Sequence, residues 1–293
     1  MFINLFGKYL VSEGIITSDQ LEDIKQEQSK ARVKLGLIAV AERLLTDNQA
    51  DEINRKQAVE DKKFGDIAIE CGYLTLEDVS RLLDLQGNPY MQFCQIVTDK
   101  EYLTLEQVEN AIAGYQKDNN FTDEMMDGIK AGDLDVIIPI FVKDEAVSEA
   151  AGIAIRTLNR LISTDLWLDH AYIVEQWECD NCTWQNLIID CEYFSLGFAG
   201  WMDSLLTIAG AYAKETFYIV DMDAMDSVAE VVNIINGLYA TSLSHQGKHV
   251  DLMPPEFFDG NTELKGTNMY VIPLEINQQP LMMVISCNSK ITV

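Results

Sequence analysis

Gly7, Gly36, Gly65 and Cys94 lie 29 residues apart along the chain, and the same interval separates Thr17, Thr46, Thr75 and Thr104. Ile16, Leu45, Leu74 and Leu103 hold that register too, as do Gln28, Gln57 and Gln86, with Tyr115 in the fourth place and Gln116 beside it. Such a repeat restricts the fold sharply, because each unit is one small supersecondary element that can bury its apolar face only against a neighbour. Every unit opens with a short apolar stretch ("GKYLVSEG", "GLIAVAER", "GDIAIECG", "CQIVTDKE") and continues, after a turn, into a longer helix that starts at the threonine. Three residues after each threonine stands Gln20, Gln49, Asp78 or Gln107. That is the spacing of a capping box, in which the two side chains satisfy free amide donors at the helix start, and each threonine cap contributes about 1 kcal/mol. The spacing predicts stacked helical hairpins over residues 1–118.

The periodicity stops after Gln116. Residues 119–144 are acidic and punctuated by Gly128 and Gly132, which predicts a linker. Within it "VIIPIFV", Val136 to Val142, is expected as an extended arm. A chain of 293 residues has room for about two domains, so residues 145–293 form the second.

That second domain has the pattern of an α+β fold, with helices against an antiparallel sheet. Glu145 to Ile162 has helical periodicity. The run "LDHAYIVEQWECDNCTWQNLIIDCEYFSLGFAG" predicts a long hairpin turning at Asp180-Asn181, which would set Cys179 opposite Cys182 and Trp177 opposite Trp184. A helix capped by Asp203, a helix around Glu230, and strands in "HVDLMPPEFF", "TNMYVIPLEI" and "PLMMVIS" complete it.

Charge narrows the function. A net charge of -26 opposes general nucleic-acid binding, which draws its affinity from basic side chains, and disfavours anionic membrane surfaces. Only 8 of the 21 basic residues follow Lys117, so the second half is the more acidic. Six scattered cysteines do not make the framework of a disulfide-rich secreted domain, and "MFINLFGKYLVSEG" lacks the layout of an export signal. Phe194 to Ala213 has the length of a membrane-spanning helix, but Asp203, two serines and three glycines weigh against one. A cytoplasmic protein is expected.

Few residues offer chemistry of their own. Cys179-Asp-Asn-Cys182 has redox or half-zinc spacing without a second ligand pair, so free thiols are expected. His170, His245 and His249 form neither a triad nor a metal motif, since Gly247 ends the helix between the last two. No metal site or cofactor of its own is expected. The remaining candidate is the helix "DSVAEVVNIING", Asp226 to Gly237. Met225, Val228, Val232, Ile235, Tyr239 and Leu243 gather on one side as a core stripe. The other side carries Asp226, Glu230, Asn233 and Gly237 with no positive charge among them, and Ile234 beside them as an apolar contact.

These stretches carry two resemblances. "DSVAEVVNIINGLYA" and "GKHVDLMPPEFFDG" resemble the CheC/CheX chemotaxis phosphatases, most closely the CheX branch, whose signature is Glu-x-x-Asn with a Gly four residues later. Glu230, Asn233 and Gly237 match it, with Val231-Val232 where the family often has Leu-Gly. The resemblance implies hydrolysis of the aspartyl phosphate on a CheY-like response regulator in two-component signalling. Asn233 would position the attacking water, Glu230 would pair with the regulator's lysine, and Mg²⁺ would sit on the regulator. It also implies a homodimer. The repeats resemble the N-terminal domain of type II secretion and pilus assembly ATPases, whose cyclic di-GMP-binding branch grips the nucleotide with Arg-Leu-Gly triplets. Here those places hold Leu5-Phe6-Gly7, Lys34-Leu35-Gly36, Lys63-Phe64-Gly65 and Gln92-Phe93-Cys94. Lysine lacks the bidentate fork of arginine, so a protein-docking or spacer role stands ahead of cyclic di-GMP binding. No Walker loop follows, so the ATPase itself is absent.

Overall fold

The computed structural model describes residues 1–28, 30–201 and 203–293, and the chain divides into two compact units, residues 2–133 and Leu134–Val293 with Met1. In the first unit helices α1 (Phe2–Ser12), α3 (Leu35–Ala41), α5 (Phe64–Glu70) and α7 (Pro89–Asp99) alternate with α2 (Ser18–Gln28), α4 (Asp47–Glu60), α6 (Leu76–Asp84) and α8 (Leu105–Asp118). The second helix of each pair therefore begins at residue 18, 47, 76 or 105, in step with the sequence register. All four threonines close the box: Thr17 and Gln20 exchange bonds of 2.9 and 3.2 Å, and Thr46–Gln49, Thr75–Asp78 and Thr104–Gln107 do the same. In the first and third units the recurring glycine lets the short helix lie close to its long one. A Cβ on Gly7 would fall 2.3 Å from Leu21 Cδ1, and one on Gly65 2.8 Å from Val79 Cγ1.

The hairpins do not form an open line. α1 and α2 pack against α7, and α1 also against α8, so the first hairpin meets the fourth. Their seam is aromatic, with the ring of Phe6 5.4 Å from that of Phe93 and 5.7 Å from that of Tyr115. The second and third hairpins share another core around Ile38, Ile53, Ile67 and Leu82. An open stack would leave the apolar faces of its end units in water; pairing first with fourth buries Phe2 and Phe6 completely.

The predicted linker and extended arm are helical. α9 (Asp123–Ala131) is capped by Thr122 and ends at Gly132 with φ of 69°. α10 (Leu134–Phe141) contains Pro139 and buries Ile137, Ile138, Ile140 and Phe141. It packs on α11 (Glu145–Leu161), which Asp144 caps through the Val147 amide. Burial of that apolar face overrides the weak helix propensity of a β-branched, proline-containing run.

The rest of the second unit is an antiparallel sheet with two more helices, so the chain is α+β with a helix-rich first part. Strands β1 (Leu166–Leu168), β2 (Tyr172–Ile189), β3 (Glu192–Gly200), β4 (Val250–Ile276) and β5 (Gln279–Cys287) lie in the order β1-β4-β2-β3-β5, and β4 also pairs with β5. The predicted turn at Asp180-Asn181 is absent: β2 runs straight through it with a register shift between Cys179 and Asn181. The reversal comes at Asp190-Cys191, whose φ values of 47° and 75° suit a two-residue hairpin turn of the type that matches strand twist. Placed there, the turn lets Leu187 face Phe194 and Gln185 face Leu196 on β3 while the same strand pairs with β4. A turn at Asp180 would forfeit most of that ladder.

α12 (Leu206–Ala213) starts beyond Asp203 and has no side-chain cap, so the predicted capping role of Asp203 does not hold. Among the described residues no helix is long and apolar enough to cross a membrane. α13 (Met222–His245) packs on β2, β3, β4, α11 and α12, with Asp221 capping its start through the Ala224 amide at 2.9 Å.

Candidate functional site

The length of α13 sets the geometry of the site. Met225, Val228, Val232, Ile235, Tyr239 and Leu243 are all buried, which fixes the helix along its inner stripe. Asp226, Glu230 and Asn233 are exposed on the outer side, Glu230 and Asn233 one turn apart, while Ile234 is half-buried. Gly237 follows one turn on. Nothing lies within 4 Å of the place its Cβ would take, so no neighbour within the chain requires a glycine there. A glycine inside a helix costs about 1 kcal/mol relative to alanine, and the open space above it leaves that cost without an intramolecular reason.

Asn233 is exposed but not loose. Its Oδ1 accepts a 3.0 Å hydrogen bond from Nε2 of Gln185 on β2, and the same nitrogen donates to the Met253 carbonyl oxygen at 2.7 Å. Gln185 is 1% exposed, and its Oε1 has no hydrogen-bond partner among the described residues. The Met253 carbonyl is free to accept because β4 carries one residue more than β2 here: Gln185 pairs with Pro255 and Leu187 with Leu252, so Met253 and Pro254 oppose Asn186 alone. Proline contributes no ladder donor. The two stretches that carry the CheX resemblance, one in α13 and one in β4, thus meet at Gln185. Sequence reasoning missed this residue; its only signal was a polar pair, Gln185-Asn186, inside the apolar run of β2.

The other candidates stay apart from this face. Cys179 and Cys182 are free, buried thiols in the same apolar cluster, and the thiol–thiol hydrogen bond together with burial pushes Cys182 well above the ordinary thiol range. His170 packs on Phe141, His245 ends α13, and His249 faces Asp251 at 3.4 Å. Gly247 follows the helix end with φ of 85°. Among the described residues no group of three or more His, Cys, Asp or Glu is placed to hold a metal ion.

In the first unit a cavity of about 850 Å³ is lined by Lys34, Gly36, Gln57, Lys63 and Gly65 among others. Its lining includes the second and third triplets of the repeat, with Lys34 and Lys63 at the residues that precede α3 and α5. Lys34 is held from outside: Nζ lies 3.0 Å from Asp99 and the main-chain nitrogen donates to Gln95 Oε1 at 2.9 Å.

A search of curated proteins finds no match. Similar solved structures include the chemotaxis protein CheX of Desulfovibrio desulfuricans, 14% identical over 49% of this chain and 99% of that one, with a TM-score of 0.43. CheX of Vibrio vulnificus is 17% identical over 49% and 99%, at 0.43. A CheX-CheY-BeF3-Mg complex from Borrelia burgdorferi is 18% identical over 51% and 99%, at 0.41. The span from Phe194 to Glu275, which holds most of β3, all of α12 and α13 and nearly all of β4, matches the family described as chemotaxis phosphatase CheX.

Proposed function

We propose that the second unit hydrolyses the aspartyl phosphate of a CheY-like response regulator. One observation carries this reading: Glu230 and Asn233 stand exposed on the outer face of a helix immobilised along its inner stripe, inside the segment that matches the chemotaxis phosphatases. An acyl phosphate is already activated, so a phosphatase can act mainly by holding water in line with the phosphorus. Water attacks phosphorus, the P–O bond to the aspartyl carboxylate breaks, and the products are the free carboxylate and inorganic phosphate. A carboxamide suits the orienting task because it offers donors and an acceptor without taking a charge. Asn233 enters the regulator's pocket and aligns the water; Glu230 pairs with the regulator's lysine through a charge-assisted hydrogen bond. The Mg²⁺ in this picture belongs to the regulator and offsets the phosphoryl charge. The open space over Gly237 gives the receiver domain room to approach. A homodimer in the cytoplasm completes the reading, and sedimentation tests the dimer.

The test is loss of phosphate from a panel of phosphorylated receiver domains. The wild-type protein accelerates it for the cognate one, and Asn233→Ala abolishes the acceleration while the variant remains folded. Unchanged turnover in that variant rejects the assignment. Binding of the phosphorylated regulator without faster phosphate loss replaces it with a docking role.

A second reading concerns the repeats. The cavity that joins the triplets at Lys34 and Lys63 is lined by Asp66 as well, and cyclic di-GMP is the ligand that the resemblance of the repeats supplies for it, ranked behind a protein-docking or spacer role. In this reading the repeats sense the nucleotide and regulate the phosphatase.

A further inference from the structure

The carboxamide of Asn233 is the group asked to orient water, and an exposed asparagine on a helix samples several rotamers unless something holds it. Here the holder is buried. Gln185 is fixed by the ladder, facing Leu196 on one side and Pro255 on the other. Its Nε2 spans the 3.0 Å to Asn233 Oδ1 and the 2.7 Å to the Met253 carbonyl. Both protons of that nitrogen are thereby used, which defines which end of the Gln185 amide faces the helix. The consequence for Asn233 is a fixed polarity: Oδ1 turns to the protein with one lone pair engaged. Its second lone pair and both Nδ2 protons remain for an incoming water. A rotated Asn233 would leave a 1% exposed amide nitrogen short of an acceptor, and a buried unsatisfied donor carries a cost beyond the small differences between exposed rotamers. That cost is large enough to hold one rotamer predominantly.

Resting on the phosphatase reading above, we propose that Gln185 is a positioning residue for dephosphorylation: from the floor of the sheet it fixes the orientation of the Asn233 carboxamide through the 3.0 Å bond. The bulge at Met253-Pro254 belongs to the same device, because it frees the carbonyl that anchors the other Gln185 proton. Gln185 touches neither water nor phosphorus; its effect reaches the reaction only through Asn233.

The experiment compares wild type, Gln185→Met, Gln185→Glu and Asn233→Ala on a phosphorylated regulator that the wild-type protein dephosphorylates. Methionine keeps the length and approximate volume of glutamine and removes the donor; a glutamate carboxyl brings at most one proton for the two acceptors, Asn233 Oδ1 and the Met253 carbonyl. The expected result for a folded variant is a kcat lower by on the order of ten- to a hundredfold, with KM for the phosphorylated regulator within about twofold and α13 helicity unchanged. No acceleration by the wild-type protein on any regulator removes the underlying reading. Acceleration that Asn233→Ala abolishes but that both Gln185 variants retain in full overturns the positioning role alone. A rise in KM that matches the fall in kcat/KM, or failure of both variants to fold, assigns Gln185 to structure and also overturns it.

Discussion

The hydroxyl of Tyr102 donates a 2.8 Å hydrogen bond to Asp23 Oδ2 across 79 residues of sequence. Tyr73 makes the equivalent bond to Glu52 Oε2, also at 2.8 Å. One repeat length separates Asp23 from Glu52 and Tyr73 from Tyr102, so a single contact is used twice, once between the first and fourth hairpins and once between the second and third.

This pairing gives the first unit an acid-sensitive seam. Lys100 and then Tyr102 hold the Asp23 carboxyl below its ordinary value, and Lys56 and Tyr73 do so for Glu52. A carboxyl depressed in the folded state contributes stability that is present above its unfolded pKa and lost as pH falls through the folded one. Asp23→Asn therefore lowers the melting temperature near neutral pH, and the deficit shrinks at a pH well below 3.8. Thermal unfolding at the two pH values checks this, and a deficit independent of pH contradicts it.

Glu230→Gln separates docking from chemistry. The variant keeps the shape and removes the charge that would meet the regulator's lysine, so KM for the phosphorylated regulator rises roughly tenfold while kcat changes little. Added salt narrows the difference between variant and wild type. Equal KM values at low salt would remove Glu230 from the interface.

Gly237→Ala sets stability against turnover. The helical backbone accepts alanine without a clash, so unfolding free energy rises by about 0.5–1 kcal/mol. Regulator dephosphorylation falls, because the added methyl group occupies the space left for the receiver domain. Denaturant titration and the phosphatase assay together read both arms; faster or equal turnover contradicts the role of the opening.

Lys63→Ala tests the cavity. On the nucleotide reading, calorimetry of the full chain with cyclic di-GMP shows binding that the substitution weakens roughly tenfold, the usual size of one charge-assisted phosphate contact. Absence of heat with the wild-type protein discards the nucleotide reading.

Local chemistry was legible in the sequence. The threonine boxes and the buried stripe of α13 stand where residue type and spacing place them, because a cap spans four residues and a helix face repeats every three or four. The contact between Phe6 and Phe93 was not legible: the repeat says that each hairpin needs a neighbour, and only packing decides which one. Asp180-Asn181 has turn chemistry but lies within a strand, since pairing on both edges of β2 outweighs local preference. The helix at Leu134–Phe141 likewise follows from burial rather than propensity. At the candidate site, Glu230, Asn233 and Gly237 were visible as a pattern on one helix. Gln185 was not, because its bond to Asn233 joins residues 48 apart and depends on a bulge in a third element.

The meeting of first and fourth hairpins also limits how this module can change over evolutionary time. An open solenoid lengthens by copying one unit onto either end. Here a further 29-residue unit would have to be accommodated without parting Asp23 from Tyr102 or uncovering the phenylalanines of α1, so growth at either end is no longer a simple copying step.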